Sequence, residues 1–154
     1  MPDLLVRLYD LPEGDVRLPV GVTVRRALGP ERQIVLDWIG RTFQTYWVGE
    51  CAVAFSAQPI ATWIATKANR VVGFACHDGT AKGFFGPTGV EEKERGHGIG
   101  EALLMATLRG MREAGYAYAV IGDAGPAKWY RKRLDCLSIP KSKPGVYKGL
   151  LPRD

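Results

Sequence analysis

Three glycines in five residues, Gly96, Gly98 and Gly100, stand directly before a strongly helical run that opens at Glu101-Ala-Leu-Leu104. The chemistry such a turn can do belongs to the main chain. The first amides of a helix have no partner within it, they point outward, and the macrodipole adds partial positive charge at the same end. Glycines there admit positive φ and leave no Cβ in the path of a bulky anion. The stretch Val90-Glu-Glu-Lys-Glu-Arg95-Gly96-His97-Gly98-Ile99-Gly100 is therefore a candidate phosphate cradle, its alternative an ordinary strand-to-helix turn. Two familiar phosphate loops do not fit. The dinucleotide fingerprint needs Gly-x-Gly-x-x-Gly, and the Walker loop needs Gly-Lys-Ser/Thr.

Other chemistry-bearing side chains are sparse. His77 and His97 are the only histidines, isolated from each other, and they make no metal site. Cys51, Cys76 and Cys136 are odd in number and widely spaced, which supports neither a disulfide framework nor a zinc site. The net charge of +5 gathers late, in Lys128, Arg131, Lys132, Arg133, Lys141, Lys143 and Lys148. Such a face can be merely solvated, or meet a cofactor phosphate; nucleic acid is the least favoured partner, because the interleaved aromatics of a single-strand-binding surface are missing.

The elements that must position these groups follow from pattern. The length of 154 residues suits a single domain spanning 1–154, with 46% apolar and 24% charged residues. Residues 1–20 read as an N-terminal arm or edge strand. Val22 to Ala27 alternates like a strand, and Gly29-Pro30 starts a helix whose apolar stripe is Ile34, Val35, Trp38, Ile39, Thr42, Phe43 and Tyr46. A weak second helix follows from Gly49 to Ala57. Ile60–Thr66, Val71–His77 and Lys82–Val90 predict an antiparallel meander, joined by Lys67-Ala-Asn-Arg70 and Asp78-Gly79, with a bulge among Gly83, Gly86, Pro87 and Gly89. Leu103, Leu104, Thr107, Leu108 and Met111 make one face of the next helix, which Gly115 stops. Tyr116–Ile121 is then a strand parallel to the one before the helix, reached by a right-handed crossover. Pro126–Leu134 reads as a short helix, and Leu137–Leu150 as one or two final strands.

Arg95-x-x-Gly98-x-Gly100 resembles the acetyl-CoA pyrophosphate loop, Gln/Arg-x-x-Gly-x-Gly/Ala, of the GNAT superfamily of N-acetyltransferases, and the order of elements over residues 21–150 is similar to that of its fold. The resemblance implies an α/β architecture: a mixed, mostly antiparallel sheet with helices on both faces and one splayed parallel strand pair. It implies that the backbone at Val90 pairs with pantetheine, that amides from Arg95 through Gly96, His97, Gly98 and Ile99 to Gly100 hold the pyrophosphate, and that acetyl-CoA is the co-substrate. Arg95 either adds charge to the phosphates or braces the loop. Tyr130, in Asp123-Ala-Gly-Pro-Ala-Lys-Trp-Tyr130-Arg-Lys132, matches the family's Asn-x-x-Ala-x-x-x-Tyr-x-Lys at the tyrosine and lysine, which implies the acid that protonates the departing thiolate. Asp123 and Pro126 depart from that pattern.

The expected activity is transfer of an acetyl group to a primary amine, on a small molecule or a peptide, by direct attack in a ternary complex. A non-catalytic acyl-CoA-binding module of the same fold is the alternative, since no general base stands out. Asp78 and Glu91 flank the strand before the loop and are weak candidates. Trp47, Phe55, Trp63, Phe84 and Phe85 are aromatic enough to line an acceptor pocket. No run approaches the ~18 apolar residues of a membrane helix, no leader pattern opens the chain, and a cytoplasmic address is expected; a homodimer is left open.

Overall fold

The computed structural model describes residues 1–153. Asp154, the last residue of the expected domain, lies outside the described residues. Seven strands, β1 (Leu4–Arg7), β2 (Val22–Arg26), β3 (Thr62–Lys67), β4 (Arg70–His77), β5 (Phe84–Val90), β6 (Tyr118–Ile121) and β7 (Cys136–Ser138), form one sheet in the order β2-β3-β4-β5-β6-β1-β7. Each neighbouring pair is antiparallel except β5–β6. Helices α1 (Arg32–Thr42) and α2 (Thr45–Phe55) pack on one face, α3 (Ile99–Glu113) and α4 (Ala127–Arg131) on the other, each over its own apolar core.

Local chemistry sets most of this. Ala68 and Asn69 both take positive φ, so β3 and β4 turn through a two-residue loop whose twist suits a hairpin. The crossover through α3 forces β6 parallel to β5. Leu103, Leu104, Leu108 and Met111 are fully buried along α3, and Gly115 at φ 103° ends it. The bulge expected between β4 and β5 is present as a register shift between Ala75 and His77.

Three expectations change. Residues 4–7 are no edge: β1 is inserted between β6 and β7, with Leu4 and Val6 buried. The first helix does not run on to Tyr46. It breaks at Phe43 (φ −126°, ψ −115°), whose ring turns inward against Trp38, Trp47 and Phe74, and α2 starts at Thr45, four residues earlier than expected. Within α1, Ile34 is 65% exposed while Leu36 takes a core position. The C-terminal stretch contributes one strand, β7, paired with β1, followed by a 3-10 turn at Gly145–Tyr147.

Gly110 fixes how closely α3 can approach the sheet. A Cβ there would sit inside the indole of Trp63 on β3. Gly110→Ala gains helix propensity of about 1 kcal/mol but overpacks this contact. We expect a net loss of about 1–3 kcal/mol of stability, read as a lower midpoint in urea with an unchanged slope.

Candidate functional site

The site is built where β5 and β6 separate. Their pairing covers only Phe84 with Val120 and Phe85 with Ile121, after which β5 continues to Val90 without a partner on that side. The free edge can be read residue by residue. Glu91 N–H donates to Val72 on β4 at 2.9 Å, so the alternation of a strand turns the N–H and C=O of Val90 away from β4 and into the gap. The Val90 carbonyl there accepts from Arg95 Nε at 3.0 Å. Of the two roles left open for Arg95, the brace is the one seen: its guanidinium ties the loop back to the strand.

The loop itself has the conformation its glycines permit. Gly96 and Gly98 lie at φ 84° and 86°, while Gly100 is already helical. A Cβ at Gly100 would lie 3.6 Å from the Trp129 indole and 3.8 Å from Val90. Among the described residues none of the amides from Gly96 to Glu101 donates to another main-chain group; the first to do so is Ala102, to Gly98 at 3.0 Å. Six consecutive donors therefore stand free at the positive end of a 15-residue helix. His97 is exposed among them. The segment before β2 walls this mouth: the Arg17 carbonyl passes 3.2 Å from where a Gly98 Cβ would be, and a cleft of about 420 Å³ opens between residues 12–17, α3 and Arg133.

Tyr130 reaches the gap from α4. Its ring meets Phe85 edge-on at 6.3 Å, placing it at the point where the strands part on the α3 face. The residue is 7% exposed, its hydroxyl has no hydrogen-bond partner among the described residues, and that oxygen is not sealed from solvent. Burial pushes the phenol up to about 12. Asp123, at the family's asparagine position, faces elsewhere: its amide donates to Asp3 at 2.8 Å and its carboxylate takes the N-terminal ammonium at 3.0 Å. It staples the turn before α4 to β1.

Two side chains beside the loop carried no signal of their own in the sequence. Trp129 lies over Gly100, and Arg133 stacks on Trp129 at 4.1 Å while approaching Glu101 on α3 at 3.7 Å. Together they hold α4 against the first turn of α3.

The residues considered as bases separate clearly. Both oxygens of Asp78 are occupied, one by His77 Nδ1 at 2.7 Å, the other by the Tyr116 hydroxyl at 2.9 Å and the Gly83 amide at 2.7 Å. His77 lies buried against Trp63, and burial lowers its pKa despite the neighbouring carboxylate. This trio locks the sheet to the C-terminal end of α3, far along the helix from the loop. Glu91 keeps one oxygen fully enclosed without a partner. Of the aromatic candidates, Phe55, Trp63 and Phe85 are core, and Trp47 and Phe84 are half-buried. Among the described residues no group of three metal-ligating side chains occurs, and no helix is long and apolar enough to cross a membrane.

A splayed parallel strand pair and unpartnered helix-mouth amides are the features that the loop's family resemblance leads one to expect. The profile of the Acetyltransferase (GNAT) family matches residues 30–133, the greater part of the chain, and the chain belongs to that family. A comparison with curated proteins found no match. Among solved structures, a GCN5-related N-acetyltransferase from Sphaerobacter thermophilus superposes with a TM-score of 0.65 at 19% identity, over 89% of this chain and 48% of that one. One from Kribbella flavida gives 0.64 at 23% identity, over 89% and 53%. A GNAT family acetyltransferase from Brucella melitensis, in complex with acetyl-CoA, gives 0.52 at 22% identity, over 77% and 88%. The chain spans about half the length of the first two.

Proposed function

We propose that the chain transfers an acetyl group from acetyl-CoA to a primary amine by direct attack in a ternary complex. The observation that carries this reading is the row of free amides from Gly96 to Glu101 at the foot of the β5–β6 fork. Those amides hold the pyrophosphate, as an anion at a helix mouth is held. The exposed edge of β5 at Val90 pairs with the pantetheine amides like an added strand, which delivers the thioester to the fork. Main-chain N–H groups there polarise the carbonyl as it becomes an oxyanion, and Tyr130 donates to the departing sulfur.

Calorimetry with acetyl-CoA, followed by thiol release in the presence of an amine panel, tests this. Saturable binding at one site with amine-dependent thiol release is expected. Binding without transfer to any amine would leave an acyl-CoA-binding module, and absence of binding would overturn both.

A further inference from the structure

The two faces of the fork are not equivalent. Phe85 turns toward α3 and meets Tyr130, so Phe84, its neighbour in the strand, points to the α2 face. Gly122, the residue after the last pairing of β6, opens on that same face: a Cβ there would lie 2.6 Å from the Tyr147 hydroxyl and 2.9 Å from the Phe84 ring. Tyr147 thus roofs the fork opposite Tyr130. Beside it stands Glu50, the one charged residue of α2, whose carboxylate accepts a hydrogen bond from the Thr80 hydroxyl. Its charge is felt at Tyr147, whose phenol is raised first by burial and then by Glu50, with Thr80 opposing.

Among the described residues no lysine, arginine or histidine pairs with Glu50, though it is half-buried. A carboxylate so placed is costly without a cation. Burial raises its pKa against the pull of Thr80, which strengthens it as a proton acceptor. Around it lie Tyr147 and the sealed thiol of Cys76; beyond Tyr147 lie Asp3 and Asp123, the latter already paired with the N-terminal ammonium. Glu50 itself has no such partner among the described residues, so its side of the fork favours a cation.

We propose that Glu50 is the general base of the transfer and that Glu50, Thr80 and Tyr147 form the acceptor side of the fork, selecting a protonated primary amine. This role presupposes the acetyl transfer proposed above. The ammonium gives one proton to Glu50, and the freed lone pair forms the C–N bond to the thioester carbon. The C–S bond then breaks with its electron pair on sulfur, which takes its proton from Tyr130. The second proton lost from nitrogen refills the phenol, and Glu50 releases its own to water, so each turnover yields amide, thiol and one proton.

The test uses spermidine and a lysine tetrapeptide as alkylammonium acceptors, and acetic hydrazide as an acceptor already unprotonated at pH 7. Glu50→Gln is expected to lower kcat/KM for the ammonium acceptors by about 10²-fold or more, to spare the hydrazide, and to leave acetyl-CoA affinity within twofold. Thr80→Val, which removes the contact that lowers the Glu50 pKa, should move the ascending limb of the pH profile upward. Glu50→Gln with wild-type turnover, or with acetyl-CoA binding lost alongside it, overturns the assignment. So does a Thr80→Val profile that does not move. A wild-type chain that binds acetyl-CoA but acetylates none of the three removes the transfer reading itself, and Glu50's role with it.

Discussion

Gly98→Val is expected to weaken acetyl-CoA binding by about a hundredfold or more, close to 3 kcal/mol, while the chain still folds. Two effects coincide at this residue. At φ 86° a β-branched side chain carries about 1–3 kcal/mol of backbone strain, and the new Cβ would press on the Arg17 carbonyl at 3.2 Å. Both are relieved if the loop rotates to negative φ. That rotation turns the amides flanking Gly98 away from the cleft, so the cost falls on the ligand more than on the core. Gly21→Val makes the comparison: φ is 85° there and nothing lies within 4 Å of its Cβ, so it carries the strain without the loop. Calorimetry should find affinity lost in the first variant and kept in the second. Equal affinity in both would show that the helix mouth does not hold the diphosphate.

That loop was legible from sequence because its requirement is local. Positive φ, a missing Cβ and a helix start all fall within six residues, and each leaves a residue type behind. The hairpin at Ala68–Asn69 and the crossover from β5 to β6 were legible for the same reason. What stayed hidden depends on partners far along the chain. The slot of β1 is defined by Tyr118–Ile121 and Cys136–Ser138, more than a hundred residues on, and four residues of alternating burial carry no mark of centre or edge. The break at Phe43 has no glycine or proline to announce it. It is set by aromatic packing, including the absence of a side chain at Gly89, where a Cβ would lie 2.6 Å from the Phe43 ring. Glu50 was concealed by that misplaced break. Once Thr45–Phe55 is one helix, a single charge among ten uncharged residues stands out. Reading 49–57 as a helix of its own puts that charge in the first turn, where an acidic residue is ordinary.

Tyr130→Phe is expected to lower kcat by about 10²-fold, at the lower end of what a positioned proton donor contributes, with acetyl-CoA affinity and thermal midpoint nearly unchanged. The ring stays packed against Phe85 and Trp129, and the lost hydroxyl leaves no orphan because it bonds to no protein group among the described residues. The raised phenol, at about 12, has a second consequence. A group that acts as an acid is lost as pH climbs through its pKa, so its descending limb lies beyond the neutral range and wild-type turnover should show no fall below about pH 10. Such a phenol is also weaker than an ordinary thiol near 8.5, and full proton transfer to a solvated thiolate would run uphill. In the proposed transfer the sulfur would leave into the same partly buried fork, however, where burial raises its pKa as it raises the phenol's. On the proposed role the hydroxyl would serve first as a hydrogen-bond donor to developing charge and complete the transfer only when C–S cleavage is well advanced. Turnover in Tyr130→Phe should then depend more steeply on thiol acidity than in the wild type, measured with acyl donors of graded leaving-group pKa. An unchanged slope together with an unchanged kcat would remove Tyr130 from the chemistry.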